Sequence, residues 1–180
     1  SMLPSQWLSG ARSVISIFNP FTKRIKESNA GGSMPSLEWL HGRAQGQEYV
    51  VAAAQALADH LRSQGARAVV PAADKRFEIY KEPRIYSNWS ERHAAYIAGL
   101  GTFSLNRAII TRKGIAGRFC SVITDLELPA DVREYTGLYD YCSLCGACAR
   151  ACPAGAINKH GKAHAPCCAF LEKVNQQYPS

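Results

Sequence analysis

The chain has 180 residues, 47% of them hydrophobic, with 21 Lys and Arg against 14 Asp and Glu and a formal charge of +7. That size and apolar content fit one compact domain with a small appended module, and no apolar run reaches the roughly 18 residues that a membrane span requires. The N-terminus lacks a basic segment followed by an unbroken apolar stretch, so nothing there reads as a secretory signal.

In chain order, Ser13 to Phe18 reads as a buried strand closed by Asn19-Pro20, and Ala30-Gly31-Gly32-Ser33 as a flexible loop. From Gln47 to Gln64 the apolar residues Tyr49, Ala53, Leu57 and Leu61 recur every fourth position and predict a helix, with Gly65 placed to end it. Ala68 to Val70 reads as a short strand. Asn88 and Glu91 have the spacing of an N-cap and its returning acid, opening a helix through Ala94, Ile97 and Ala98 that stops at Gly99. Ala108 to Thr111 and Phe119 to Ile123 predict a pair of strands joined by residues 112–117, and Leu128-Pro129 opens a linker. The order of elements is α+β, with no internal repeat and no low-complexity tract.

The linker leads to Cys142, Cys145, Cys148 and Cys152-Pro153, which spell the C-x2-C-x2-C-x3-C-P run of bacterial [4Fe–4S] ferredoxins. Steps of three residues let successive thiolates reach different irons of one cube, and the proline turns the backbone away. A zinc knuckle instead presents two C-x2-C pairs a dozen or more residues apart. In two-cluster ferredoxins the fourth cysteine of such a run crosses to the other cube. Two all-thiolate cubes need four thiolates each, more than the seven cysteines of this sequence supply. Cys167 and Cys168 are the remaining candidates, read as one ligand beside one packed bystander, while Cys120, in an alternating strand-like run, reads as a small core residue. This ligand set argues for a reducing compartment, with the cytoplasm as the expected location. Residues 1–128 then form a cofactor or substrate domain and residues 129–180 a ferredoxin-like iron–sulfur module.

Arg92, Arg107, Arg112, Lys113 and Arg118 occur without an acidic residue between Arg92 and Thr124. They are read as a contribution to the mouth of an active site, against the plainer alternative of solubility. His60 and His93 read as surface or capping groups, and Gly161 between His160 and His164 favours a loop over a metal pair.

The stretch Ser90-Glu91-Arg92-His93 through Ala98-Gly99-Leu100-Gly101, then Asn106, the strand ending Ile123-Thr124-Asp125-Leu126 and the cysteine run, resembles the epoxyqueuosine reductase family, whose outline the reductive dehalogenases share. The resemblance spans roughly Ala11 to Leu171 and implies a nitroreductase-like domain of the cobalamin-reductase type with a C-terminal ferredoxin-like [4Fe–4S] module. It further implies cobalamin as cofactor, one or two [4Fe–4S] clusters, reduced ferredoxin or flavodoxin as electron donor, and tRNA or a small molecule as substrate. Under it Cys142, Cys145 and Cys148 hold the outer part of an electron relay, and Cys152 with Cys167 belong to a cluster nearer the cobalamin. Gly99, Gly101 and Asn106 become cofactor-binding candidates, although a helix stop and a tight turn explain the two glycines equally well.

The departures from the family are specific. Its catalytic aspartate would precede the Glu-Arg pair, but residues 84–89 contain no carboxylate, so no catalytic residue is assigned; Glu82, Tyr86 and Tyr96 are the alternative proton sources. The family's Gly-Lys-Asn stands here as Ser104-Leu105-Asn106, and the second ferredoxin motif expected after Cys167 is missing, as in a divergent paralogue or a truncated chain. The competing function is a non-catalytic electron carrier or accessory subunit, to which the size of the upstream domain is the main objection.

Overall fold

In a computed structural model the described residues are 2–80 and 85–178; Glu82 lies outside them. A single helical turn, α1 (Pro4–Trp7), precedes β1 (Ser13–Pro20), which is followed by α2 (Lys23–Ser28), α3 (Leu37–Ser63) and β2 (Ala68–Val69). Next come the paired strands β3 (Ile79–Tyr80) and β4 (Tyr86–Ser87), α4 (Glu91–Ile97), the paired strands β5 (Gly101–Phe103) and β6 (Ile109–Thr111), and β7 (Gly117–Thr124). The cysteine-rich segment contributes α5 (Ala147–Arg150), the pair β8 (Ile157–Asn158) and β9 (Gly161–Lys162), and α6 (His164–Gln177).

A three-stranded antiparallel sheet, ordered β1-β7-β2, organises the part of the chain before the cysteines. The two-residue side-chain period of β7 divides its neighbours cleanly. Cys120 and Val122 face α3, where they pack with Val50, Ala54, Ala58 and Leu61. Ile123 faces the other way, into a cluster with Trp7, Trp89 and Ala94. Trp7 and Trp89 meet edge to face with ring centroids 6.3 Å apart. Each large apolar side chain buried in these clusters contributes about 1.5–3 kcal/mol.

The long helix begins ten residues before the expected Gln47, because the hydroxyl of Ser36 accepts the Trp39 N–H at 3.1 Å and caps it. Two glycines that would ordinarily weaken a helix serve here as contact points: a Cβ on Gly42 would lie 2.8 Å from Ile25, and one on Gly46 3.1 Å from Phe21. Gly65, at φ +88°, ends the chain's longest helix as expected.

Two expectations are corrected. Ile109–Thr111 does not pair with the Phe119 strand. Instead β6 pairs with β5, and β7 runs against the whole of β1, from Ser13 opposite Thr124 to Pro20 opposite Gly117. Residues on both faces of β7 are buried, which favours a central position flanked by β1 and β2. The cap of α4 is Ser90 rather than Asn88. Asn88 is buried and spans two chain segments, accepting the Glu78 N–H at 3.1 Å and donating to the Arg76 carbonyl at 2.7 Å. Cys120 is fully buried, and burial pushes its thiol up to about 12, the property of an inert core residue. Among the described residues no helix is long and apolar enough to cross a membrane.

Candidate iron–sulfur site and adjoining cavity

The loop carrying the first three cysteines is shaped by left-handed backbone. Leu144 sits at φ +54° and Gly146 at φ +72°, and Gly146 then opens α5, whose Ala149 and Arg150 N–H groups return to its carbonyl at 3.0 Å. Cys145 is exposed, while Cys142, Cys148 and Cys152 are half-buried, and all seven cysteines are free thiols. The Ala147 backbone N–H holds the Cys145 thiol below its ordinary range, with help from Ser143 and the Arg150 charge. The Ala156 N–H donates to Cys152 Sγ at 3.4 Å. Four soft thiols in one loop, two of them already served by N–H donors, fit an iron–sulfur cube. No three His, Cys, Asp or Glu side chains among the described residues converge on a single ion. A cube, by contrast, takes its ligands at separate irons. Cys167 and Cys168 are the fourth and fifth residues of α6, about 100° apart around the helix axis, so one direction of approach meets one sulfur.

The linker is fastened to the part of the chain before it. Phe103 donates its N–H to the Leu138 carbonyl at 2.9 Å, and Tyr141, immediately before the first cysteine, donates its own to Thr102 Oγ1 at 3.0 Å. Tyr135 is buried and its hydroxyl donates to the Tyr96 carbonyl. Its ring lies 5.5 Å from Tyr141 and 5.2 Å from Tyr96, and Phe103 continues the stack to His93 at 5.0 Å. Each such pair adds about 0.5–1.5 kcal/mol beyond area burial.

His93 lines a cavity of about 650 Å³ formed by the N-terminal segment, β1, α4 and residues 128–131 of the linker. Its walls are mainly apolar, and three polar features stand out. Ser16 Oγ is buried without a hydrogen-bond partner among the described residues. Ser90 Oγ and His93 Nδ1 are 2.7 Å apart, and burial, with the Arg92 charge second, lowers the His93 pKa so that the ring is neutral at pH 7. Trp89 Nε1 donates to Ser121 Oγ at 2.9 Å behind the cavity, where Ser121 sits opposite Ser16 in the sheet.

Beside Ser121 and Trp89 lies the Glu91 carboxyl, both oxygens buried and neither in a hydrogen bond among the described residues. Burial raises its pKa, more than the nearby Ser121 and Trp89 groups lower it. A folded-state pKa above the unfolded value gives stability that is complete below the unfolded pKa, near ~4.3, and is lost as pH rises through the folded one. Glu91→Gln, neutral at every pH, is therefore expected to match the wild type near pH 4 and to exceed it by about 1–3 kcal/mol at pH 8, read from urea unfolding at both values.

The other site residues read from the sequence fall as follows. Gly99, at φ +85°, ends α4; Gly101 packs against the Ile110 carbonyl; Asn106 Oδ1 accepts from Ser104 Oγ at 2.6 Å and from the Ala108 N–H at 3.0 Å, fixing the β5–β6 turn. Their neighbours Ala98 and Leu100 line the cavity, and these three do not. Tyr86 stacks on Tyr80 at 4.8 Å, and Tyr96 reaches toward the Thr136 carbonyl; neither lines the cavity. The basic interval does not form its mouth either. Arg92 donates to the Arg107 carbonyl, Arg107 meets His164 at 2.8 Å, Arg112 pairs with Glu134, and Arg118 donates to the Arg43 carbonyl. Arginines from α4, the β5–β6 turn, the β6–β7 turn and β7 satisfy local acceptors, and beyond the Arg92–Arg107 contact they do not converge. Ser16, His93 and Glu91 were not recognised as site residues from sequence, since hydroxyl, cap and helix-start acid each have an ordinary local reading.

Residues 138–158, spanning all four cysteines of the run, match the Fer4 family, a 4Fe-4S binding domain. The chain thus carries an iron–sulfur segment of ferredoxin type. A stretch of 62 residues is 47% identical to tetrachloroethene reductive dehalogenases of Desulfitobacterium hafniense and of Dehalobacter restrictus. That stretch is 34% of this chain and 11% of each relative, so the similarity covers about a tenth of the length of the curated relatives it matches.

Proposed function

We propose that the chain is an iron–sulfur reductase component in which a [4Fe–4S] cluster on Cys142, Cys145 and Cys148, completed by Cys152 or Cys167, feeds single electrons to a molecule held in the cavity beside α4. The observation that carries this reading is the fastened linker: the residue before Cys142 is hydrogen-bonded to β5, and a stack of rings runs from it to His93 on the cavity wall. A cluster held in place serves one site repeatedly, which a swinging carrier does not require. The cavity volume of about 650 Å³ suits an organic molecule, and its mainly apolar walls, which also carry Arg12, His93 and Asp131, present the unpartnered Ser16 hydroxyl as one group for orientation. Likeness to reductive dehalogenases over 62 residues supports a part in iron–sulfur electron transfer.

The finer reading is that the molecule is cobalamin, a cofactor larger than a cavity of about 650 Å³ can enclose, so that only part of it would enter here and the rest would lie outside; its reduced cobalt would supply the electron-rich centre for reductive chemistry, as in epoxyqueuosine reductase-like proteins. The protein's own part is then to exclude water with the apolar walls, to orient through Ser16, and to keep the neutral His93 ring beside the bound group. The test is to add cobalamin to cluster-loaded protein under reducing conditions and follow the corrin bands. Saturable binding at micromolar concentration, with corrin reduction that depends on the cluster, is expected. No binding at tens of micromolar, or a corrin whose reduction ignores the cluster, defeats this reading in favour of an electron carrier.

A further inference from the structure

We propose that the exposed face made by Tyr139, Tyr141, Leu144 and Cys145, rimmed by Arg112, Lys113 and Arg150, is the docking surface for an acidic one-electron carrier protein that reduces the cluster. This inference rests on the cluster reading above and adds where the electron enters.

Leu144 is the sharpest observation. It occupies the apex between two cysteines in the left-handed region, which a non-glycine residue enters at a cost, and its side chain is 63% exposed. Tyr139 and Tyr141 are also exposed, so large apolar groups crowd the surface next to the thiols when solubility alone would favour polar ones. Arg150 donates to the Cys145 carbonyl at 3.0 Å, and Arg112, exposed, directly follows β6, whose partner strand β5 holds the Tyr141 N–H through Thr102. Lys113 follows it and is exposed.

Two acids lie nearby: Glu134 pairs with Arg112 and offsets its charge, and Asp140 Oδ2 accepts the Thr136 and Gly137 N–H groups at 3.0 and 2.9 Å, which leaves Lys113 and Arg150 as the main cations of the rim. From residue 138 to 178 Arg150, Lys159, Lys162 and Lys173 stand against Asp140 and Glu172, a surplus of two positive charges on a chain of net +7. An apolar centre with a basic rim fits a partner that carries an apolar redox edge within an acidic surface, and such transient encounters need little buried area. The exchange is simple in its balance: the carrier loses one electron, the cluster gains one, and no bond or proton changes place.

The test uses cluster-loaded protein under anaerobic conditions, with reduced flavodoxin as the acidic carrier and dithionite as a small reductant. Reduction by flavodoxin is expected to slow steeply with added salt, and to fall by about tenfold or more in both Leu144→Glu and Lys113→Glu, while excess dithionite still reduces the cluster of the wild type and of Lys113→Glu to the same end point. Lys113→Glu lies outside the cysteine loop and keeps the test decisive if Leu144→Glu loads its cluster poorly. Flavodoxin rates that ignore salt, or that are unchanged in both variants, overturn the docking surface. So does a wild-type cluster that dithionite reduces and flavodoxin does not. A wild-type protein with no dithionite-reducible cluster overturns the cluster reading itself, and the docking surface with it.

Discussion

Replacing Cys142, Cys145 or Cys148 with Ser is expected to remove the broad visible absorption of the reconstituted protein and to take iron from about four per chain to near zero. The effect is large because each thiolate holds its own corner of the cube. The loop, moreover, is bent around those three positions by the left-handed Leu144 and Gly146, so no neighbouring side chain can step in without refolding it. Cys120→Ser provides the contrast: its sulfur is fully buried against α3, so this change is expected to leave the chromophore intact and to destabilise the core by about 1–3 kcal/mol through an unpaired hydroxyl. If α6 supplies the fourth ligand, one of Cys167→Ser and Cys168→Ser should affect the cluster and the other leave it unchanged; if Cys152 supplies it, Cys152→Ser alone of the three should affect it. Four irons per chain and unaltered redox behaviour in Cys145→Ala would sink the assignment.

The ferredoxin-type segment could be read in the sequence because its signature is local: four cysteines at fixed spacing lie within eleven residues. Strand β1, the terminator Gly65 and the helix ending at Gly99 were legible for the same reason, each resting on contacts within one turn or one pleat. The first ten residues of α3 were not, since Gly42 and Gly46 look like breakers until Ile25 and Phe21 are seen filling the space a Cβ would take. The strand pairing failed differently. Two strand-like runs close in sequence suggest a hairpin, whereas β7 takes its partner from residues about a hundred positions upstream, a choice made by burial on both of its faces.

Most of the cavity was invisible for that non-local reason. Its walls come from four separated segments, residues 2–4, 12–16, 89–100 and 128–131, none of which carries a recognisable motif. Glu91 shows the limit most plainly: its place at the start of a helix after Ser90 has a complete local explanation, and only the packing of α4 on Ser121 reveals a carboxyl held out of water. The Arg92 to Arg118 interval misleads because closeness in sequence does not bring these side chains together at one mouth.

Gly101→Ala is the second change expected to have a large effect, and it separates two roles for one residue. In the β5–β6 pair Gly101 stands opposite Thr111, and an added Cβ would lie 2.0 Å from the Ile110 carbonyl oxygen, 2.7 Å from its carbon and 3.1 Å from the Thr111 Cα. All three are backbone atoms, so the strands themselves must part. The next two residues, Thr102 and Phe103, anchor the linker through Tyr141 and Leu138, which places the cluster loop downstream of the same distortion. A loss of about 2–3 kcal/mol or more in urea unfolding is expected, together with faster amide exchange at Phe103 and Tyr141. Gly99→Ala should cost only about 1–2 kcal/mol, because it pays for left-handed backbone while its Cβ meets nothing closer than Arg133 Cγ at 3.5 Å. If Gly101→Ala unfolds within about 0.5 kcal/mol of the wild type while cofactor binding is lost, the glycine serves close approach to a bound cofactor instead of closure of the hairpin that holds the linker.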